Sequence, residues 1–139
     1  MWTKSFSTTT KEVTKVQIWK VLTDINNWNS WDNDIEWTKI DTGPKLNANF
    51  FLKPKGGPKT RLTISEFNKP NVFADVSHLP LAKMVTTHHL SDTPAGLKIE
   101  VTIQVTGLLS FLWSKVIAQK QIDGGLQQTE QLIEKAKTF

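Results

Sequence analysis

The side chains best suited to chemistry in this chain are its three histidines. His78, His88 and His89 lie in stretches whose apolar residues repeat every second position, the period of a β-strand. Neighbouring strand residues point to opposite faces, so His88 and His89 cannot share a site. Imidazole titrates near neutral pH. His88 is therefore predicted to be an acid, base or polar anchor in a pocket, or a hydrogen-bonded side chain without chemistry.

Metal, covalent and nucleotide chemistry find little support in the residue types. The chain has no cysteine, and a zinc site needs three or four converging ligands, more than its histidines supply. The serine-hydrolase, phosphate-loop, dinucleotide and zinc-protease motifs are all absent. Asp24 is expected to cap a turn. No catalytic residue, metal or cofactor is predicted.

The facing of the histidine strands depends on the turn at Pro80. A three-residue turn there predicts that Val76 and His78 point inward, with Met84, Thr86 and His88 on the next strand. A shift of one residue would invert one of the two strands, and the turn does not fix the register. These five residues are predicted to line a ligand site.

The next candidates lie after Gly107, where about thirty residues follow a helical period. Lys115 and Gln119 project onto the stripe that carries most of its apolar residues. A cation facing an apolar core is costly. Either the Lys115 stem extends to the rim, or the pocket is wet and Lys115 meets an acid. The stripe predicted to be buried comprises Leu108, Leu112, Ile122, Leu126 and Ile133, widened by Phe111 and Val116.

The elements that position these residues follow from the same periodicities. A strand is predicted over Trp2–Thr9, then a helix starting near Lys11 behind a Thr9 or Thr10 cap, and a short helix or turn at Trp28–Asp34. Six strands follow, near 35–42, 46–54, 59–67, 71–79, 83–91 and 96–106. Short links between them predict an antiparallel meander with one buried face. The final helix, roughly 40 Å long, is predicted to cover that face.

The order of these elements, together with two stretches of sequence, resembles a known family. The stretch from Trp19 to Asp32, with Asp24-x-x-x-Trp28-x-x-Trp31 at its end, resembles the helix-to-turn region of the START-like (SRPBCC) superfamily, polyketide cyclase/dehydrase and lipid-transport branch. The last strand entering Gly107-Leu108-Leu109 resembles the C-terminal end of that family. The resemblance covers essentially the whole chain. It implies an α+β helix-grip fold, with a curved antiparallel sheet of about seven strands around a long C-terminal helix. Members of the family bind lipids, sterols, polyketides or hormones; some are enzymes and some act on proteins.

Apolar side chains are predicted to wall a cavity between sheet and helix. Trp28 and Trp31 lie where the family's pocket entrance is expected, and either gate a ligand or plug one end of the sheet. The remaining wall candidates, which are equally compatible with plain core, are Trp37, Phe50, Leu62, Ile64, Val101, Ile103 and Phe111.

Composition bounds the partners. The 139 residues predict one domain, 1–139, and the net charge of +4 comes almost wholly from lysine, with Arg61 the only arginine. Nucleic acid is therefore not a predicted partner. The sequence has no signal-peptide pattern and no membrane-spanning run, which predicts a cytoplasmic protein. The oligomeric state stays open.

The function predicted from the sequence is binding of a hydrophobic or amphipathic small molecule, of lipid, polyketide or isoprenoid type, between sheet and C-terminal helix. One alternative is a cyclase or dehydratase that moves protons with His88 or Lys115. A second is a protein-interaction module related to chaperone-ATPase activators. That alternative predicts a filled core and an exposed apolar patch, and the sequence shows no obvious patch.

Overall fold

A single curved antiparallel sheet organises the molecule. The computed structural model describes residues 1–139, and the seven strands lie in the order β1-β7-β6-β5-β4-β3-β2. Their bounds are β1 Trp2–Thr10, β2 Ile35–Lys39, β3 Asn49–Pro54, β4 Thr60–Asn68, β5 Val72–Leu79, β6 Ala82–Thr93 and β7 Gly96–Thr106. The α+β fold class is confirmed, with helices covering the concave face.

The first helix begins later than the sequence predicts. Helix α1 spans Lys15–Thr23, and Thr14 caps it through a capping box with Gln17. Thr10 instead ends β1, where its hydroxyl accepts a hydrogen bond from the Glu12 amide at 3.1 Å. Thr10 and Thr14 could each cap a helix through the side chain. Only Thr14 is followed three residues later by a glutamine, Gln17, which completes the capping box. A 3₁₀ segment, Ile25–Ser30, follows α1.

The C-terminal helical run keeps a helical backbone from Ser110 to Asp123 around a π-helical turn and is interrupted once, at Gly124, where the sequence predicts one continuous helix. It consists of α2 (Ser110–Trp113), a π-helical segment (Ser114–Ala118), α3 (Gln119–Asp123) and α4 (Gly125–Ala136). Gly124, at φ −91° and ψ 0°, separates α3 from α4. None of these helices is both long enough and apolar enough to cross a bilayer.

The buried stripe of this run also differs from the prediction. Leu108, Phe111, Leu112, Val116 and Leu126 are exposed, and of the predicted stripe only Ile133 is fully buried. The run faces the sheet mainly through small residues: Ser114, Ala118, Gly125, Thr129 and Ala136. At Gly125 an added Cβ would collide with the ring of Phe6 on β1. At Gly125 the run lies too close to β1 for any side chain, and hydrophobicity alone does not reveal such a contact.

Candidate functional site

Strands β5 and β6 carry a group of polar side chains on the concave face. The register places Asp75 opposite Thr86, Phe73 opposite His88, and Ser77 opposite Met84. Residues directly opposite each other in an antiparallel pair share a face. This group, called here the polar cluster, consists of Asp75, Ser77, Thr86 and His88.

The residues around the polar cluster are apolar and buried. Ile64 on β4 lies opposite Asp75, and β7 places Ile103 opposite Thr86 and Val101 opposite His88. These three side chains are at most 3% exposed, and Asp75 itself is 5% exposed. Aliphatic side chains therefore flank the polar cluster, in which Asp75 and Ser77 are buried and Thr86 and His88 are partly buried. An ionised group is poorly solvated in such surroundings.

Burial moves both titratable members toward their uncharged forms. It raises the pKa of Asp75 from 3.8 to about 7. Burial, together with a smaller effect of the neighbouring His89 charge, lowers the pKa of His88 from 6.5 to about 4. Desolvation penalises the charged form of each group, which accounts for the opposite directions. Between these two values the site holds a protonated carboxyl group and a neutral imidazole.

The hydrogen-bonding capacity of this pair is not used inside the protein. Nδ1 of His88 is enclosed and has no hydrogen-bond partner. The pKa of Asp75 is raised by desolvation with no opposing hydrogen bond or cation. Buried polar atoms in folded proteins are nearly always partnered, and an orphan costs about 1–3 kcal/mol. Unpartnered groups on two adjacent strands mark this place as a candidate binding site.

Val76 and His78 face the other way, which corrects the predicted facing of β5. The β5–β6 loop has two residues, Pro80 and Leu81, because Leu79 pairs with Ala82. That loop shifts β5 by one position relative to the prediction and turns Val76 and His78 to the convex face. Met84, Thr86 and His88 lie on the concave face, as predicted.

On the convex face His78 belongs to a small polar network. Thr63 Oγ1 lies 2.6 Å from Asn49 Oδ1, an oxygen that can only accept, so the hydroxyl donates there. Nε2 of His78, 2.8 Å from the same hydroxyl, is then the donor to it. Burial and the charges of Arg61 and Lys83 lower the pKa of His78.

Several predicted wall residues form ordinary core. The indole of Trp28 donates to the Leu22 carbonyl at 3.1 Å, and its ring meets Phe50 edge-on at 5.4 Å. It also meets Phe73 at 6.3 Å, so aromatic rings fill this part of the concave face. Leu62, Ile64, Met84, Val101 and Ile103 are buried, whereas Trp31 and Trp37 are partly buried.

The predicted helix residues do not reach the polar cluster. Phe111 is 64% exposed, and Lys115 is exposed as well. Gln119 accepts a hydrogen bond from Nζ of Lys4 on β1 at 2.8 Å and donates to Asp123 at 2.9 Å. Lys115 therefore lies at the solvent-facing surface and not in a pocket between the sheet and the helical run.

The two best-formed of the four hollows of the molecule lie at its surface. One, of about 540 Å³, runs between Trp31 and the polar side of α4. The other, of about 480 Å³, is next to the β5–β6 loop and includes His78 and Leu81. Neither contains a residue of the polar cluster, and neither is the cavity predicted between sheet and C-terminal helix.

Asp75 and Ser77 are the site residues that the sequence pattern did not reveal. Strand β5 alternates Val72, Ala74 and Val76 with Phe73, Asp75 and Ser77. Val72, Ala74 and Val76 are more apolar than the other three residues, so the sequence pattern predicted that they face inward, which is wrong. A two-residue loop at Pro80 and Leu81 was the available signal, since hairpin loop length sets the register.

Comparison with known proteins identifies the architecture. No family model and no curated protein sequence matches the chain. A hypothetical protein from Helicobacter pylori superposes with a TM-score of 0.77 at 12% identity, over 96% of this chain and 87% of that one. Ara h 8.0201 gives 0.70 at 10% identity, over 99% and 100%.

A third similar structure is the di-domain ARO/CYC StfQ from the steffimycin biosynthetic pathway. It gives a TM-score of 0.71 at 14% identity, over 99% of this chain and 50% of that one. The chain has the helix-grip fold. At these identities the similarity establishes the helix-grip fold alone and selects no branch of the START-like superfamily.

Proposed function

We propose that this helix-grip protein binds a small amphipathic molecule on the concave face of its sheet. The observation that carries the proposal is the polar cluster, in which Nδ1 of His88 is enclosed without a hydrogen-bond partner and the buried Asp75 has its pKa raised by desolvation alone. A ligand with an apolar body and a polar head would satisfy both requirements of this surface. The similar protein StfQ, a di-domain ARO/CYC that belongs to a biosynthetic pathway, is compatible with a small-molecule role for the fold.

The electrostatics of the polar cluster favour an uncharged head group. Below pH 7 the carboxyl group of Asp75 is protonated and can donate, while the neutral imidazole of His88 can accept or donate. A hydroxyl or keto group matches these partners. A ligand carboxylate would meet an ionised Asp75 above pH 7, and like charges in an apolar site repel strongly. The proposed ligand is therefore an alcohol or ketone with an aliphatic or aromatic body.

Access to the concave face is proposed through the segment 110–123. This segment contains the π-helical turn and ends at the break at Gly124. Its Phe111, Leu112 and Val116 face solvent, and its sheet-facing residues Ser114 and Ala118 are small. Moving it outward separates the partly buried side chains of Trp113, Ile117 and Ile122 from the core. At α4 the same motion would expose Leu132 and Ile133, which are buried, so opening costs less at the segment 110–123.

A matched ligand series tests this proposal. Dodecanol, 2-dodecanone and dodecanoate share a twelve-carbon chain and differ in the head group. We expect the alcohol and ketone to raise the melting temperature at pH 6, and dodecanoate to lose affinity between pH 6 and pH 8. Thr86→Val should weaken alcohol binding by about five- to tenfold, the value of one hydrogen bond in an apolar site.

The control variant is Thr87→Val, the next residue on the opposite face of β6. It makes the same chemical change away from the polar cluster and should leave binding unchanged. Equal effects of both variants would contradict the assignment of the site. Native mass spectrometry without a co-purified molecule, together with no thermal shift from any of the three ligands, would contradict binding itself.

A second candidate function rests on the pKa of Asp75, which lies near 7. A general acid or base is most effective when its pKa matches the working pH. The same cluster would then transfer protons within a bound ligand, with Asp75 and His88 as the two groups. A turnover rate that follows a group of pKa about 7 and is abolished in Asp75→Asn, with ligand affinity retained, would distinguish catalysis from binding.

A further inference from the structure

One end of the molecule concentrates the exposed apolar side chains. Of eleven large hydrophobic residues that are exposed, six lie at the end of the sheet formed by the β5–β6 loop, the start of β1 and the segment after β7. This group, called here the apolar end, consists of Met1, Leu81, Leu108, Phe111, Leu112 and Val116. Leu108 is 80% exposed, Leu81 64% and Phe111 64%, values well beyond those of incidental surface residues.

Hydrogen bonds hold the three segments of the apolar end together. The Leu109 amide donates to the Leu81 carbonyl at 3.1 Å, and the Trp113 indole donates to the Pro80 carbonyl at 2.9 Å. Trp2 pairs with Val105 at the end of β7, which brings Met1 beside the same segment. The exposed residues therefore form one surface on a braced framework.

The charges around the apolar end are mostly positive. The segments 1–7, 79–84 and 105–123 carry Lys4, Lys83, Lys115 and Lys120 and one acid, Asp123, which accepts a hydrogen bond from Gln119 at 2.9 Å. The β3–β4 turn lies at the same end of the sheet and adds Lys55 and Lys59. Beside that turn the Lys55 amide donates to the Asp34 carbonyl, and Glu36 on β2 pairs with Lys53 at 2.5 Å. The surface is apolar with a rim of cations.

We propose that the apolar end docks on the surface of an anionic lipid bilayer. Apolar side chains enter the boundary between head groups and acyl chains, and lysines near the surface are attracted by anionic lipids. A second copy of this chain would bring two lysine rims together, and that repulsion disfavours a symmetric dimer. Leu81 at a loop tip and Phe111 on a short helix project outward, as shallow insertion requires. This inference goes beyond ligand binding and uses none of the polar cluster.

Vesicle co-sedimentation tests the docking. The probes are vesicles of phosphatidylcholine alone and vesicles with 30% phosphatidylserine, each at low and high salt. We expect binding to the anionic vesicles that weakens with salt, since the lysine contribution is screened. Binding to neutral vesicles should be far weaker. Equal binding to both vesicle types at both salt concentrations would overturn the electrostatic part of the proposal.

Paired variants locate the surface. Phe111→Ser should reduce vesicle affinity by about tenfold through lost apolar burial, and Lys115→Gln by about fivefold. The controls are Leu126→Ser and Lys20→Gln, which make the same changes at exposed positions outside the apolar end and should bind like wild type. All four sites are exposed, so their melting temperatures should stay close to wild type.

Three results would overturn the docking proposal. The first is the absence of vesicle binding by the folded wild-type chain. The second is equal loss in the control variants, which would mean that the apolar end has no special role. The third is a dimer in light scattering that Phe111→Ser dissociates, without vesicle binding, which would assign the surface to a second copy. Failure of docking would leave the ligand-binding proposal standing, because the two proposals are tested with different variants. Thr86→Val should weaken ligand binding and retain vesicle affinity.

Discussion

Asp75 and His88 respond to pH in opposite directions, and their contributions to folding offset each other. The raised pKa of Asp75 makes a contribution to the free energy of unfolding that is fully present below pH 4 and is lost as the pH rises to about 7. The lowered pKa of His88 contributes fully above pH 6.5 and is lost as pH falls to about 4. Between pH 4 and 6.5 the folded and the unfolded chain each bind one proton at these two residues. In the folded chain that proton is on Asp75, and in the unfolded chain it is on His88.

Removing either group should expose the contribution of the other. In Asp75→Asn, His88 remains, and the free energy of unfolding should rise with pH between 4 and 6.5, by about 3 kcal/mol in total. In His88→Gln, Asp75 remains, and that free energy should fall between pH 4 and 7, by about 4 kcal/mol. Urea unfolding at several pH values, with each variant compared with wild type, measures both slopes.

Parallel pH profiles for the two variants and wild type would contradict this account. The neighbouring His89 provides the control, because it lies on the opposite, exposed side of β6 and is a histidine in the same strand. His89→Gln should follow the wild-type profile between pH 4 and 6.5, apart from a small rise in the pKa of His88.

The residue-level prediction from sequence succeeded where the strand had one clear apolar face. On β6 the predicted inward set of Met84, Thr86, His88 and Leu90 lies on the concave face, although the turn at Pro80 left the register open. On β5 both faces carry small or apolar residues, so the facing depended on one loop. Asp75 was missed for that reason, although its partner position Thr86 was identified.

At the scale of elements, the strands were more predictable than the C-terminal run. Alternation and turn residues predict six consecutive strands at nearly their observed places, because each signal is local. The orientation of the last helical run is set instead by how closely it approaches β1. That distance depends on Phe6, more than a hundred residues away, so the most apolar stripe of the run was assigned to the wrong side.

Gly125 provides a test of this close approach. An alanine Cβ there would collide with the Phe6 ring, whereas at Gly124 it would meet only the Lys120 carbonyl, at 3.4 Å. Gly125→Ala should destabilise the protein by about 1–3 kcal/mol, the typical cost of overpacking. Gly124→Ala, which keeps a negative φ, should have little effect. Chemical denaturation compares the two.

A double variant separates the collision from helix propensity. Phe6→Ala removes the ring that the new methyl group would meet, so Gly125→Ala should cost less in that background than in wild type. An unchanged cost in both backgrounds, or equal costs at positions 124 and 125, would show that close approach to β1 is not what fixes the run.

At the scale of the whole molecule, the segment 108–123 has two sides with different tasks. Its inner side packs on the sheet through the small residues Ser114 and Ala118 and the partly buried Trp113, Ile117 and Ile122. Its outer side carries Leu108, Phe111, Leu112 and Val116. Because Gly124 interrupts the helical run, insertion of the outer side into a bilayer can shift the segment without unfolding α4. A membrane that holds the shifted form lowers the cost of opening the concave face.

Anionic vesicles should therefore accelerate ligand exchange. With a fluorescent dodecanol analogue bound, we expect vesicles containing 30% phosphatidylserine to raise the release rate, and neutral vesicles to leave it near the rate in buffer. The increase follows from the preference of the bilayer for the open form, and it cannot exceed the factor by which vesicles bind that form more tightly. Phe111→Ser should release ligand in buffer at the wild-type rate and lose the acceleration, while Leu126→Ser should keep it. Acceleration that persists in Phe111→Ser would mean that the ligand leaves by a route independent of the apolar end.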